Sequence, residues 1–126
     1  MLAKLILVVD DERKIGDIYT DWLGSLGYRV IYAGCAEEAT EILIRQNVDL
    51  ILLDLNMPGI NGDYFYEVLQ EYGGGSKVIV SSVYPIEIQK RRIPDADDYF
   101  DKSHGIYDLI TKITVAFGAD TAAAPR

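Results

Sequence analysis

Cysteine and histidine are nearly absent from this chain. Its 126 residues include one cysteine, Cys35, and one histidine, His104. A single cysteine excludes an internal disulfide and any metal site built from cysteines. We therefore expect Cys35 to be a buried or half-buried structural thiol.

Basic residues and long hydrophobic runs are also scarce. Lysine and arginine number 12 against 20 acidic residues, so the formal net charge is -8. Binding to nucleic acid or to an anionic membrane needs a cationic surface, so we expect neither from this chain. The first apolar stretch lasts five residues after Lys4 before acids interrupt it, too few for a signal peptide or a membrane span. A cytoplasmic location is the expectation that follows.

Length and apolar content instead predict one globular domain. A chain of 14.1 kDa with 49% hydrophobic residues can bury one core but is too short for two ordinary domains. We assign residues 1–118 to this domain. Residues 119–126 are rich in alanine and lack a periodic pattern, so we expect a disordered tail or the start of a linker there.

Two apolar runs in the chain stop abruptly on aspartate. The first ends at Asp10 and Asp11, and the second, LILL at residues 50–53, ends at Asp54. Such runs are typical of strands that are buried on both faces of a parallel sheet. The carboxylates therefore emerge at the carboxyl ends of the strands, where ligands bind in open parallel sheets.

Strand and helix patterns alternate along the rest of the chain. Apolar residues at helical spacing, namely Ile15, Ile18, Trp22 and Leu26, predict a first amphipathic helix that Gly27 ends. A turn-rich loop with Pro58, Gly59 and Gly62 follows the third strand. The remaining predicted strands cover 28–33, 49–54, 77–82 and 96–100, and the remaining helices cover 36–46, 65–72, 85–92 and 106–117.

This order predicts an α/β fold. Five strands that alternate with five helices form a parallel sheet covered on both faces, and a flavodoxin-like, doubly wound five-stranded sheet of order 2-1-3-4-5 is the leading candidate. Strands one and three are neighbours in that order, so Asp10, Asp11 and Asp54 meet.

Three adjacent carboxylates repel one another and stay ionised when they share a cation. Mg²⁺ fits this demand because it prefers oxygen ligands, whereas zinc is improbable without nitrogen or sulfur ligands.

Two further polar groups follow strands at the same edge. The fourth strand ends in Ser81 and Ser82, and Lys102 comes soon after the fifth. Carboxylate, Mg²⁺, hydroxyl and lysine together suit phosphoryl transfer to an aspartate. The alternative is that they are ordinary polar residues at strand ends.

Three motifs in the correct order resemble the response-regulator receiver domain of two-component signalling. They are VVDDE at residues 8–12, DLNMPG at 54–59 with Gly62, and ADDYFDK at 96–102, and the similarity runs from about Leu5 to Phe117. The resemblance implies that Asp54 accepts a phosphoryl group from a histidine kinase or phosphotransfer protein. It further implies that Asp10, Asp11, Asp54 and the backbone carbonyl of Asn56 hold Mg²⁺. Lys102 would pair with the phosphoryl group, and Tyr99 would be an aromatic switch acting with a serine. The output protein is not identified, and the domain would modify itself and would not be a turnover enzyme.

The resemblance leaves alternatives open. The family's spacing favours Ser82 over Ser81 as the switch serine, but Val83 then stands where the family generally has a smaller residue. Its bulk could hinder access to Asp54, so a rarely phosphorylated interaction module with the same fold is the second hypothesis. A phosphatase that forms an aspartyl phosphate ranks low, because its two acids are spaced two apart and are not adjacent. The stretch between Ser82 and Lys102 is short for the family, which predicts a trimmed fourth helix near Ile93.

Overall fold

The computed structural model describes residues 3–56, 62–72 and 74–118, and within them five parallel strands form one sheet. The strand order is β2-β1-β3-β4-β5, which confirms the predicted flavodoxin-like topology. The strands are β1 (Leu5–Val9), β2 (Arg29–Ala33), β3 (Leu50–Asp54), β4 (Lys77–Ser82) and β5 (Asp98–Asp101). Most of the predicted loop after β3 and the predicted tail at 119–126 lie outside the described residues.

Five helices cover the two faces of the sheet. They are α1 (Arg13–Ser25), α2 (Ala36–Arg45), α3 (Gly62–Tyr72), α4 (Ile86–Arg92) and α5 (Ile106–Ala116). Side chains from α1 and α5 pack in one apolar cluster with alternate residues of the central strands, such as Ile6 and Val8. The intervening residues, such as Leu7 and Val9, pack in a second cluster with α2 and α3. All five residues of β1 and of β3 are buried, as expected for strands covered on both sides.

Helix α1 is amphipathic as predicted, with Ile15 and Trp22 packed against the core, but its most buried residues are others. Its fully buried line consists of Gly16, Tyr19 and Leu23, whereas Ile18 is 53% exposed. The predicted end at Gly27 is confirmed, since this glycine follows the helix with a φ of +98°. That left-handed conformation favours glycine at the end of a helix.

The segment between β4 and β5 is compact. Helix α4 has seven residues and is followed at once by Ile93, which is 1% exposed, so a short fourth helix is present as predicted. Strand β5 lies at Asp98–Asp101, two residues later at its start than predicted. Across the described residues, we find no helix that is long and apolar enough to cross a membrane.

Candidate functional site

The pairing of β1 with β3 brings three aspartates together at the carboxyl edge of the sheet. Val9 is the partner of Leu53 in this ladder, so Asp10 and Asp54 follow neighbouring positions. Carboxylate oxygens of Asp10, Asp11 and Asp54 all lie within 4.8 Å of one another. Asp10 is 2% exposed and Asp54 is 3% exposed, whereas Asp11 is open to solvent. The cluster therefore has two buried acids at its base and one acid at its mouth.

Backbone N–H groups orient the two buried acids. The N–H of Glu12 donates to Asp10 Oδ1 at 2.9 Å, and the N–H of Asn56 donates to Asp54 Oδ1 at 3.0 Å. Each carboxylate thus accepts from the residue two positions ahead, which is a common local arrangement for aspartate in turns. The side chains are held in place where the chain leaves each strand.

Lys102 connects the acids from the other side of the site. Its Nζ lies 2.9 Å from Asp10 Oδ2 and 3.5 Å from Asp54 Oδ1, and its side chain is only 10% exposed. The backbone N–H of Lys102 donates to the Ser82 carbonyl at 2.8 Å, which extends the β4–β5 pairing as far as the site. One ammonium group therefore contacts the two buried carboxylates of the cluster.

Burial and mutual charge set the protonation of these groups. Burial raises the pKa of Asp54, an effect opposed by the Asn56 N–H and by Lys102 and supported by the charge of Asp10. Burial alone would lower the pKa of Lys102, but its hydrogen bond to Asp10 and the charge of Asp54 outweigh this and raise it. A bound cation would favour the ionised form of Asp54.

The donor set fits a hard divalent cation. The clustered side chains offer carboxylate oxygens, without imidazole or thiolate groups among them, and oxygen is the ligand atom that Mg²⁺ prefers. The cluster has three carboxylates and one neighbouring ammonium, which leaves an uncompensated negative charge that a divalent ion would offset. Asn56 is exposed, and its N–H is bonded to Asp54, so this residue lies at the edge of the cluster.

The two serines of β4 are both buried. Asp54 is the ladder partner of Ser81, and Ser82 is the partner of Asp101. Ser82 is fully buried, and its Oγ accepts from the N–H of Tyr84 at 3.1 Å. Ser81 Oγ is buried without a hydrogen-bond partner in the described part of the chain. The preferred serine is therefore the one already engaged with the loop that follows β4.

Tyr99 lies on β5 with its ring turned inward. It is 6% exposed, and its hydroxyl donates to the carbonyl of Ile93 just after α4. The ammonium of Lys90 lies 5.8 Å from the centre of the ring. Tyr99 thus connects β5 with the end of α4.

Val83 and His104 lie at the surface. Val83 is 60% exposed directly after β4. His104 is half exposed, with ring nitrogens 3.8 Å from Asp101 Oδ2 and 4.0 Å from Asp108 Oδ2. It flanks the start of α5 and is outside the aspartate cluster.

Sequence reasoning missed two tyrosines beside the site. Tyr19 of α1 is 7% exposed, and burial raises its pKa; the charge of Lys102 opposes this effect, and the charges of Asp10 and Asp54 add to it. Tyr32 of β2 donates its hydroxyl to the main-chain carbonyl of Asp10 at 2.6 Å. Tyr19 could have been found from its i, i+3, i+7 spacing with Gly16 and Leu23. No sequence signal identifies Tyr32.

Comparisons with known proteins agree on one family. A family model described as the response regulator receiver domain matches residues 6–114. The probable transcriptional regulator ycf27 of Porphyridium aerugineum is 36% identical over 117 residues, which are 90% of this chain and 48% of that protein. The transcriptional regulatory protein YvrH of Bacillus subtilis is 36% identical over 108 residues, 85% of this chain and 42% of that protein. The chain thus spans less than half the length of these curated relatives.

Solved structures give the same result. The response regulator TrrA of Thermotoga maritima, solved in complex with Mg²⁺ and BeF, is 32% identical with a TM-score of 0.80, covering 90% of this chain and 98% of that one. A CheY-like receiver domain protein of Methanospirillum hungatei is 28% identical with a TM-score of 0.85, covering 92% and 94%. These similarities concern both sequence and fold.

Proposed function

Because this chain belongs to the response regulator receiver family of two-component signalling, we propose that its Asp54 accepts a phosphoryl group from a phosphohistidine on a partner kinase or phosphotransfer protein. The observation that carries the proposal is the buried carboxylate of Asp54 between Lys102 and the acids Asp10 and Asp11. We expect this exchange to take place in the cytoplasm.

The reaction is a displacement at phosphorus. A carboxylate oxygen of Asp54 forms the new O–P bond while the P–N bond of the phosphohistidine breaks, and the leaving imidazole takes up a proton. Asp54 must be ionised to attack. The Asn56 N–H and the Lys102 ammonium favour that form against the effect of burial.

The residues that would hold Mg²⁺ are Asp10, Asp11, Asp54 and the backbone carbonyl of Asn56. When bound, this ion neutralises charge on the transferring phosphoryl oxygens. The exposed Asp11 would be a direct ligand, and the buried Asp10 would act mostly through water. Lys102 exchanges part of its contact with Asp10 for a phosphoryl oxygen, since its Nζ already lies 3.5 Å from Asp54.

The output rests on Ser82 and Tyr99. Movement of the Ser82 hydroxyl toward a phosphoryl oxygen would break its bond with the Tyr84 N–H and shift the loop that leads to α4. Tyr99 contacts the end of the same helix through Ile93. The local charge on Asp54 thereby biases the α4–β5 surface between two arrangements, to which an output protein binds.

The domain acts as a regulator. It catalyses its own phosphorylation and later loses the phosphate by hydrolysis, without turnover of an external substrate. Its acidic charge makes a protein a better output partner for this chain than nucleic acid or a membrane.

Intact-protein mass spectrometry with a small phosphodonor and Mg²⁺ tests the proposal. We expect the mass of one phosphoryl group on the wild-type chain and none on Asp54→Asn. If neither protein gains this mass and both bind the same output partner equally, the chain is instead an interaction module that uses the receiver fold without phosphorylation.

A further inference from the structure

The end of β2 supports the first acid of the site through an aromatic side chain. Tyr32 is the ladder partner of Val8, and its hydroxyl donates to the main-chain carbonyl of Asp10 at 2.6 Å. A second bond, from the Asp10 N–H to the Ala33 carbonyl at 3.1 Å, connects the same two strands. Both backbone groups of Asp10 are therefore bonded to the edge strand.

Two glycines, which have no side chains, make room for the side chain of Tyr32. A Cβ atom on Gly16 of α1 would lie 2.2 Å from Tyr32 Cε1, far inside van der Waals contact. A Cβ on Gly34 would lie 3.3 Å from the Tyr32 hydroxyl oxygen. Glycine inside a helix is less favourable than alanine. Gly16 is thus costly for α1 but allows the ring to approach.

The Tyr32 hydroxyl is one of three groups that restrain Asp10 by hydrogen bonds. Its Oδ1 accepts from the Glu12 N–H and its Oδ2 from Lys102, while its carbonyl accepts from Tyr32. Asp11 follows directly, so the direction of its carboxylate depends on the same turn. The hydroxyl of Tyr32 therefore fixes the backbone from which both acids of this pair project.

We propose that Tyr32 is a positioning residue for the divalent cation: its hydroxyl, seated over Gly16, holds the Asp10–Asp11 turn in the geometry that binds Mg²⁺. This inference rests on the proposed function, in which that ion assists phosphoryl transfer to Asp54. Groups that orient metal ligands without touching the metal commonly change metal affinity by 10- to 100-fold. We expect the low end of that range, because Tyr32 acts on the backbone and not on a carboxylate.

The test is Mg²⁺ affinity of the full chain by isothermal titration calorimetry. Tyr32→Phe keeps the ring and removes the hydroxyl, and we expect it to weaken Mg²⁺ binding about tenfold. Tyr28→Phe is the matched control, since Tyr28 packs 5.8 Å from Phe117 at the opposite end of the sheet. It should leave the affinity unchanged.

A glycine pair provides an independent arm. Gly16→Ala retains the hydroxyl but displaces the ring, so it should also weaken Mg²⁺ binding. Gly24→Ala lies in the same helix with nothing within 4 Å of the added Cβ, and it should have no effect. In the Tyr32→Phe background, Gly16→Ala should cost little further affinity, because the hydrogen bond has already been lost.

The outcomes separate this inference from the proposed function. A purely structural role for Tyr32 would lower the melting temperature without Mg²⁺ and leave the affinity of the folded protein unchanged, which would overturn the inference. If the wild-type chain gains phosphoryl mass on Asp54 while Tyr32→Phe binds Mg²⁺ as tightly as wild type, the inference fails and the proposed function stands. If the wild-type chain neither binds Mg²⁺ nor gains phosphoryl mass, the proposed function itself fails.

Discussion

The ammonium of Lys102 lies 2.9 Å from Asp10 Oδ2 and 3.5 Å from Asp54 Oδ1, so it contacts a proposed metal ligand and the proposed phosphoacceptor at once. Its positive charge offsets the negative charge of these two buried carboxylates when no metal is bound. We therefore expect Lys102 to compete with Mg²⁺ for Asp10 and to remain beside Asp54 when the ion binds.

Replacement of Lys102 should show this competition. Lys102→Met leaves two buried carboxylates without their ammonium partner, so the free energy of unfolding in chelator should fall by about 1–3 kcal/mol. Saturating Mg²⁺ should recover part of this loss, because the ion takes over the same oxygens. Urea unfolding with and without Mg²⁺ measures both effects.

Lys112→Met is the control for that variant. Lys112 lies 3.6 Å from Asp98 and 4.0 Å from Asp108 but is more exposed, so its loss should cost less than about 1 kcal/mol. Its effect should not depend on Mg²⁺. An equal cost for both lysines, or no recovery of Lys102→Met by Mg²⁺, would contradict the role of Lys102.

The pH dependence of stability should reveal the raised pKa of Asp54. Burial raises its pKa above the unfolded value of 3.8, so the folded state binds the proton more tightly than the unfolded state. The stability that Asp54 contributes is present below pH 3.8 and is lost as the pH rises through its folded pKa. In chelator, Asp54→Asn should therefore gain stability over wild type as the pH rises toward neutrality.

Asp101 supplies a contrast of opposite sign. Hydrogen bonds from the Ser103 hydroxyl and N–H lower the pKa of Asp101, so its contribution is present above its unfolded pKa and is lost as the pH falls through the folded one. Asp101→Asn should lose stability relative to wild type as the pH rises. Urea unfolding midpoints measured from acid to neutral pH test both assignments. If the midpoints of the two variants changed with pH as the wild-type midpoint does, both assignments would be wrong.

The choice of Ser82 over Ser81 predicts which variant loses the switch. In Ser82→Ala, Asp54 should still gain phosphoryl mass, but Tyr99 should no longer respond to it, because the hydroxyl that would connect the loop to the phosphoryl group is gone. Fluorine NMR of fluorotyrosine-labelled protein, with the Tyr99 signal assigned from Tyr99→Phe, reads the response after addition of beryllofluoride and Mg²⁺. Ser81→Ala should keep it, and the reverse pattern would assign the switch to Ser81.

Val83 should slow the chemistry at Asp54. If its side chain hinders approach to the phosphoacceptor, Val83→Ala should gain phosphoryl mass faster and lose it faster, with no change in Mg²⁺ affinity. Val115→Ala, which trims another exposed valine on α5, is the control. Equal rates in wild type and Val83→Ala would show that this side chain does not limit access.

The sequence pattern predicts structure best where the burial of apolar side chains alone determines it. Strand β4 occupies the predicted residues 77–82, because a run of branched apolar residues buried on both faces has few other structures available. The convergence of Asp10, Asp11 and Asp54 follows from strand order alone. The start of strand β5 is less predictable from sequence. Asp97, just before the strand, already pairs with Val78: its carboxylate accepts from the Val78 N–H, and its own N–H donates to the Val78 carbonyl.

Two features depend on packing that no local pattern encodes. The apolar spacing of α1 includes Ile18, which faces solvent, and omits Tyr19, which is buried toward the acidic site. The contact of Tyr32 with Gly16 joins residues from two elements. It depends on the exact approach of α1 to the edge strand, which spacing along the chain does not specify.

The most direct test of the account is the site of phosphoryl attachment. The chain is incubated with Mg²⁺ and a small phosphodonor, trapped by borohydride reduction and sequenced by tandem mass spectrometry, with Asp95→Asn as an exposed acidic control. We expect one modified residue, Asp54, in wild type and in Asp95→Asn, and none in Asp54→Asn. Absence of any modification in wild type, or attachment at another residue, would contradict it.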